Sequence, residues 1–292
     1  MGATTRQIVA AIISGGTLLV VRLPLKAALA VGMLSFAAAW GQEETRPSEN
    51  EEARLRATER HVRSLRLQSR DSEKEIGLID RPLLTFTDPV RQHQSGTVWA
   101  WGNGGRPAAV MEVWSNGDQW KHAIMATSPE RVELILPDGR QWQAPEKAFE
   151  QSPIAEAESP KEKPAVRLRQ LKELARRFRV HEIWTQDNSR IELRLLAQPV
   201  YRYAEPAREI QDGAVFIFAH GTNPETMLFI EGVGKSLTEA RWNYSVVRST
   251  SAELHVELDE HEVWSCPRFD GTNQGPGKTH WVFALPMEDA PR

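Results

Sequence analysis

Residues 213–232 read Gly-Ala-Val-Phe-Ile-Phe-Ala-His-Gly-Thr-Asn-Pro-Glu-Thr-Met-Leu-Phe-Ile-Glu-Gly. Ala214 to Ala219 is apolar, with aromatic and β-branched side chains, and Met227 to Ile230 is apolar again. Between them His220, Gly221, Thr222, Asn223 and Pro224 carry turn chemistry, so the stretch reads as strand, tight turn, strand. The same grammar occurs earlier, at 96–115. Gly96, Val98, Trp99 and Trp101 lead into Asn103-Gly104-Gly105-Arg106-Pro107, and Val110 to Trp114 follows.

The two stretches belong to a longer correspondence. A constant spacing pairs Pro82 with Pro199, Phe86 with Tyr203, Gly96 with Gly213, Gly104 with Gly221 and Pro107 with Pro224. A short insertion near Gly234 to Thr238 shifts the spacing, after which Trp120 pairs with Trp242, Leu136 with Leu258 and Trp142 with Trp264. Val132, Leu134 and Leu136 alternate as Leu254, Val256 and Leu258 do, one buried face of a strand in each. The expected fold is therefore mainly β: two related antiparallel modules, sandwich- or barrel-like, from an internal duplication, with short helices before the modules. What recurs is Gly, Pro and Trp, residues that shape backbone and fill cores. Polar residues do not recur: Asn103 stands opposite His220, and Glu133 opposite His255. Any chemistry is expected in one copy only.

The rest of the chain divides around these modules. Residues 1–41 hold two apolar runs, Ile8 to Val21 and Ala27 to Ala39, each short of the roughly 18–20 residues of a bilayer span. The second, flanked by Arg22 and Lys26 and ending in Ala39-Trp40-Gly41, reads as a secretory signal peptide cut after Gly41, with Ala39 as an alternative. An uncleaved anchor, or a start codon placed too early, would equally account for the long apolar leading part. Residues 42–75 read as a charged helical or disordered arm, 76–150 as the first module and 151–165 as a Pro- and Glu-rich linker. Residues 166–292 read as the second module behind a short helix.

Composition narrows the function classes. Losing residues 1–41 takes three cations (Arg6, Arg22, Lys26) from a formal net charge of −3 and leaves −6. Nucleic acid, whose phosphates need a basic face, is excluded as a partner. Export with one cysteine, Cys266, leaves no internal disulfide framework, and a buried thiol is the expectation.

Ten tryptophans are most simply core. Trp99 and Trp101 share one strand face; exposed, they would form a platform for sugar rings, and enclosed, a piece of core. His220, Asn223 and Glu225 on the best-formed turn could make a small polar site with Asp270 or His280; the plainer alternative is that Asn223-Pro224 only shapes the turn. His181-Glu182-Ile183-Trp184-Thr185 opens like a zinc-protease motif but has Thr185 where the second His belongs, and it sits in a strand. Gly277-Lys278-Thr279 lacks the leading Gly of a phosphate loop. No cofactor and no metal is assigned.

The segment 213–225, with the flanking Pro82 to Trp142 copy, resembles an uncharacterised family of exported β-rich proteins from planctomycete bacteria. The resemblance spans most of 76–285 and rests on the turn motif. It implies an extracytoplasmic location, and it brings no activity and no site residues. The expected function is a non-catalytic binding or scaffold role at the cell envelope, with polysaccharide or an envelope protein as partner, and a membrane only if the leader is uncleaved. The alternative is an extracytoplasmic hydrolase with an asymmetric site near His220.

Overall fold

The computed structural model describes residues 10–14, 17–21, 49–88 and 93–287. Two compact units separate near Glu52. In the first, strands β1 (Ala10–Ser14) and β2 (Thr17–Val21) form an antiparallel hairpin. The cleavage expected after Gly41 falls outside the described residues. Among the described residues no helix is long and apolar enough to cross a membrane.

The second unit is mainly β, built from four small antiparallel sheets in a four-blade, propeller-like arrangement. Helix α1 (Glu49–Arg63) spans the division, and β3 (Arg66–Ser69), β4 (Glu75–Ile76), β5 (Leu84–Asp88) and β6 (His93–Trp101) follow. Then come β7 (Ala109–Asn116), β8 (Gln119–Ala126), β9 (Val132–Ile135), β10 (Gln141–Gln143) and the two-residue β11 (Ser152–Pro153). Helix α2 (Pro164–Ala175) leads into β12 (Phe178–Ile183), β13 (Arg190–Glu192), β14 (Arg194–Leu195) and β15 (Tyr201–Glu205). The long pair β16 (Ile210–His220) and β17 (Asn223–Val233) follows, then β18 (Arg241–Arg248), β19 (Glu253–Leu258), β20 (His261–Cys266) and β21 (His280–Pro286).

Sheet I runs β10-β9-β3-β4, and sheet IV runs β20-β19-β12-β13. Sheet II runs β21-β8-β7-β6-β5. Sheet III runs β11-β18-β17-β16, with β14 and β15 sharing the outer side of β16. Each of the two larger sheets ends on a strand from far along the chain. β21 closes sheet II by pairing with β8, and β11 closes sheet III by pairing with β18.

The side-chain alternation explains why the central strands are apolar throughout. From β6, Trp99 and Trp101 point into a core shared with Leu67, Leu134 and Trp142 of sheet I. Val98 and Ala100, on the opposite face, join Val215, Ile217 and Phe229 of sheet III. From β16, Phe216 and Phe218 point the other way, into a core shared with Phe178, Val180, Leu254 and Val256 of sheet IV. Sheets II and III are thus covered on both faces, and a strand buried on both faces needs a near-continuous apolar run. That requirement produces Ala214 to Ala219.

One close approach occurs twice. Phe86 pairs across the ladder with Gly96, and Tyr203 with Gly213. In each case the aromatic ring lies where a Cβ would stand, 2.3 Å from it at Gly96 and 2.8 Å at Gly213. Only glycine fits beneath the ring.

Several buried polar side chains of this unit are joined to one another. The Arg106 guanidinium grips the Glu231 carboxylate, with Nε at 2.7 Å from Oε1, and Tyr203 and Gln151 donate to the same carboxylate. Burial, together with the Glu231 charge, pushes the Tyr203 phenol well above its usual range. Asp212 accepts from Arg167 at 2.5 Å and from Arg202 at 2.9 Å.

The stretch expected as a charged helical or disordered arm carries α1, whose end buries Val62, and runs into β3 with Leu65 and Leu67 buried. The 151–165 stretch is docked: β11 pairs with β18, Ile154 is buried, and Ile154 N–H donates to the Trp242 carbonyl at 2.8 Å. Trp99 and Trp101 are 0 % and 1 % exposed, so the sugar-stacking alternative for this pair is overturned. An indole with both faces enclosed has none left for a sugar. Cys266 is half-buried, and burial raises its thiol pKa to about 11.

Candidate functional site

The site is assembled where sheets III and IV meet, at one end of their shared apolar core. On β12, alternation puts Phe178, Val180 and Glu182 on the face toward sheet III. On β16 it puts Phe216, Phe218 and His220 on the face toward sheet IV. Each stripe is apolar until its last residue. The two polar ends meet: His220 Nδ1 donates to Glu182 Oε1 at 2.7 Å. The Glu182 side chain is fully buried, while that of His220 keeps 22 % of its surface open.

Glu225 arrives by a different device. His220 and Asn223 face each other across a two-residue turn. Gly221 there takes φ +62°, as the first position of a type II′ hairpin turn requires. Beyond the turn Ala219 pairs with Pro224 and Phe218 with Thr226, so Glu225 is an extra residue with no opposite number. Such a bulge re-aims a side chain. Pro224, which lacks an N–H, suits the point where the ladder is interrupted. Strict alternation would send Glu225 toward sheet II with Met227 and Phe229; instead its carboxylate joins Glu182 and His220.

One donor atom from each of Glu182, His220 and Glu225 lies within 4.8 Å of the others. Both carboxylates are on residues with no exposed surface. Asn223 Nδ2 donates to Glu225 Oε1 at 2.7 Å, fixing that carboxylate. The Trp184 ring stands edge-on to the imidazole, centroids 4.9 Å apart at 76°. The backbone is tied down as well, with Ser249 N–H donating to the Glu225 carbonyl at 2.9 Å and the Ser249 hydroxyl to the Glu112 carboxylate. Two carboxylates and an imidazole on a rigid frame can share a proton, orient a polar ligand or coordinate a cation.

Of the residues singled out from sequence, His220, Asn223 and Glu225 come together, and Trp99 and Trp101 lie in a different core. Asp270 and His280 do not join the site. Asp270 is exposed and accepts from the Thr272 backbone N–H at 2.8 Å. His280 is buried beside Phe269, and burial drives its pKa down to about 3. The residue that sequence reasoning passed over is Glu182, set aside with the failed zinc-protease motif. Its signal was an acid on the core-facing register of Phe178 and Val180.

Compared with protein-family models, with curated proteins and with solved structures, the chain matches none.

Proposed function

We propose that the chain is an extracytoplasmic binding protein in which a duplicated β unit is the scaffold and the His220 turn is the working end. The observation that carries the reading is the convergence of Glu182, His220 and Glu225 at a partly open end of an apolar interface. A buried acid at such a place costs stability unless it is used or compensated, and sites with perturbing surroundings concentrate function.

Support for duplication comes from order and register. The element sequence helix, β3, β4, β5, β6, β7, β8, β9, β10 parallels α2, β12, β13, β15, β16, β17, β18, β19, β20. Sheets I and IV have matching strand orders, as do II and III. Leu67 pairs with Leu134 as Val180 pairs with Val256, and the glycine beneath an aromatic ring recurs at Gly96 and Gly213. This correspondence puts Ser69, Asn103 and Ala108 where the second half has Glu182, His220 and Glu225. The polar constellation belongs to one half, as a specialised site on a repeated frame would. The leader-like residues 1–41 and the resemblance to exported planctomycete proteins support the location.

A second reading, a hydrolase, is favoured by the carboxylate–imidazole pair, the arrangement that orients a general base. Titrating the protein with soluble polysaccharides and with small ester and phosphate substrates, beside His220→Ala, separates the two. A binder loses affinity in the variant and has no turnover. A hydrolase keeps binding and loses turnover. Wild-type protein with neither property contradicts both.

A further inference from the structure

We infer that Glu182, His220 and Glu225 form a site for one divalent transition-metal ion of the zinc class, with solvent entering from the His220 side. The inference deepens the reading of the His220 turn as the working end and rests on it.

The donor set decides the class of ion. Three donor groups lie within 4.8 Å of one another, with His220 Nδ1 and Glu182 Oε1 at 2.7 Å, so small side-chain shifts bring them to the roughly 3.3 Å that separates ligands of one tetrahedral ion. The imidazole favours zinc, copper, nickel or ferrous iron over calcium, magnesium and manganese, for which oxygen ligands are better suited. The absence of a thiolate from the cluster disfavours the softest ions. With a neutral imidazole the two carboxylates contribute a charge of −2, which one divalent ion balances.

The supports are those a metal centre needs. The bulge at Glu225 turns a side chain out of its register to reach the other two. Asn223 holds the Glu225 carboxylate from the same turn, an outer partner of the kind that orients a ligand. Three protein donors leave a coordination position for water, and the exposed part of His220 puts that position toward solvent. Such an open site is the catalytic pattern of zinc proteins rather than the closed structural one. In the other half, Ser69, Asn103 and Ala108 occupy the corresponding positions and offer no comparable set.

The test uses the full chain, stripped with a chelator, dialysed, and titrated with Zn²⁺ by calorimetry and with Co²⁺ by visible absorption. One ion per chain is expected. Glu182→Gln, Glu225→Gln and His220→Ala should each weaken binding by about 100-fold or more, and Asn223→Ala by about 10-fold. His255→Ala removes the half-buried histidine held between Glu253 and Glu262 and should leave binding unchanged. Wild-type protein that takes up neither ion, or whose binding disappears with His255 and survives all three ligand changes, overturns the inference. Should a ligand variant fail to fold, the Co²⁺ spectrum of His255→Ala protein decides: intense visible bands that persist there support the site, and bands that vanish with His255 overturn it. Ligand binding that persists in the fully stripped protein, with no ion uptake, would sink the metal site and spare the binding reading. Ion uptake without any ligand binding or turnover would do the reverse.

Discussion

His220 Nδ1 and Glu182 Oε1 lie 2.7 Å apart, and their hydrogen bond ties β16 of sheet III to β12 of sheet IV. Because Glu182 has no exposed surface, the bond forms in a low-dielectric setting where it counts for more than at a surface. In metal-stripped protein, His220→Ala should cost about 1–3 kcal/mol in urea denaturation. Combined with Glu182→Gln, the loss should be clearly less than the sum of the two single changes. Additive losses would mean that the pair is not energetically coupled.

The glycines beneath the rings give a second expectation. A methyl group at Gly213 would meet the Tyr203 ring at 2.8 Å, and Tyr203 is held by its hydrogen bond to Glu231. Gly213→Ala should therefore destabilise by about 1–3 kcal/mol, the usual cost of overpacking. Repeating the change in a Tyr203→Ala background should remove most of that cost. An unchanged cost there would place the strain elsewhere.

Acid should weaken the fold well before the carboxylates titrate. His61 and His122 share a short Nε2···Nε2 contact of 2.7 Å between α1 and β8, and His280 is enclosed. Burial lowers the pKa of His61 to about 4. Burial, with the neighbouring His61, lowers that of His122 to about 3, and burial does the same for His280. These groups stay neutral when folded but protonate near 6.5 when unfolded, so the unfolded state binds more protons below that pH. Their contribution is complete above pH 6.5 and is lost as pH falls toward 3, at up to about 1.4 kcal/mol per pH unit for each. His255 acts in the opposite sense. Partial burial lowers its pKa, but hydrogen bonds to Glu262 and Glu253 prevail and raise it, so its contribution fades as pH rises through that raised value. Urea midpoints measured from pH 7 to 4 should fall steadily, and His280→Phe should flatten the slope. A flat profile in the wild type would refute the assignment.

The buried indoles are a test of scaffold against surface. Trp99→Ala or Trp101→Ala should cost about 3–5 kcal/mol, as truncation of an enclosed aromatic does. Thermal melts should reveal the loss directly. A variant that keeps wild-type stability while losing affinity for a polysaccharide would restore the platform reading.

Much of the scaffold was legible locally because its signals are local. Alternation at Val132, Leu134 and Leu136, and turn residues at Pro137-Asp138-Gly139, locate β9 and its turn without reference to the rest of the chain. Residues 66–69 were not legible. Arg66 and Gln68 hide a strand whose only fully buried side chain is Leu67, and its partner β9 is far along the chain. β11, two residues long, owes its existence to β18 and has no pattern of its own. The site divides in the same way. His220, Asn223 and Glu225 sit on one recognisable turn. Glu182 reaches them only through the packing of two sheets, a relation that no spacing along the chain encodes.

The most direct measurement is anomalous diffraction from crystals grown with Zn²⁺, recorded on either side of the zinc absorption edge. A single strong peak about 2 Å from oxygen atoms of Glu182 and Glu225 and from a ring nitrogen of His220 is the predicted result. A difference map empty at that position, or peaks only at other groups such as His255 and Glu262, would contradict it.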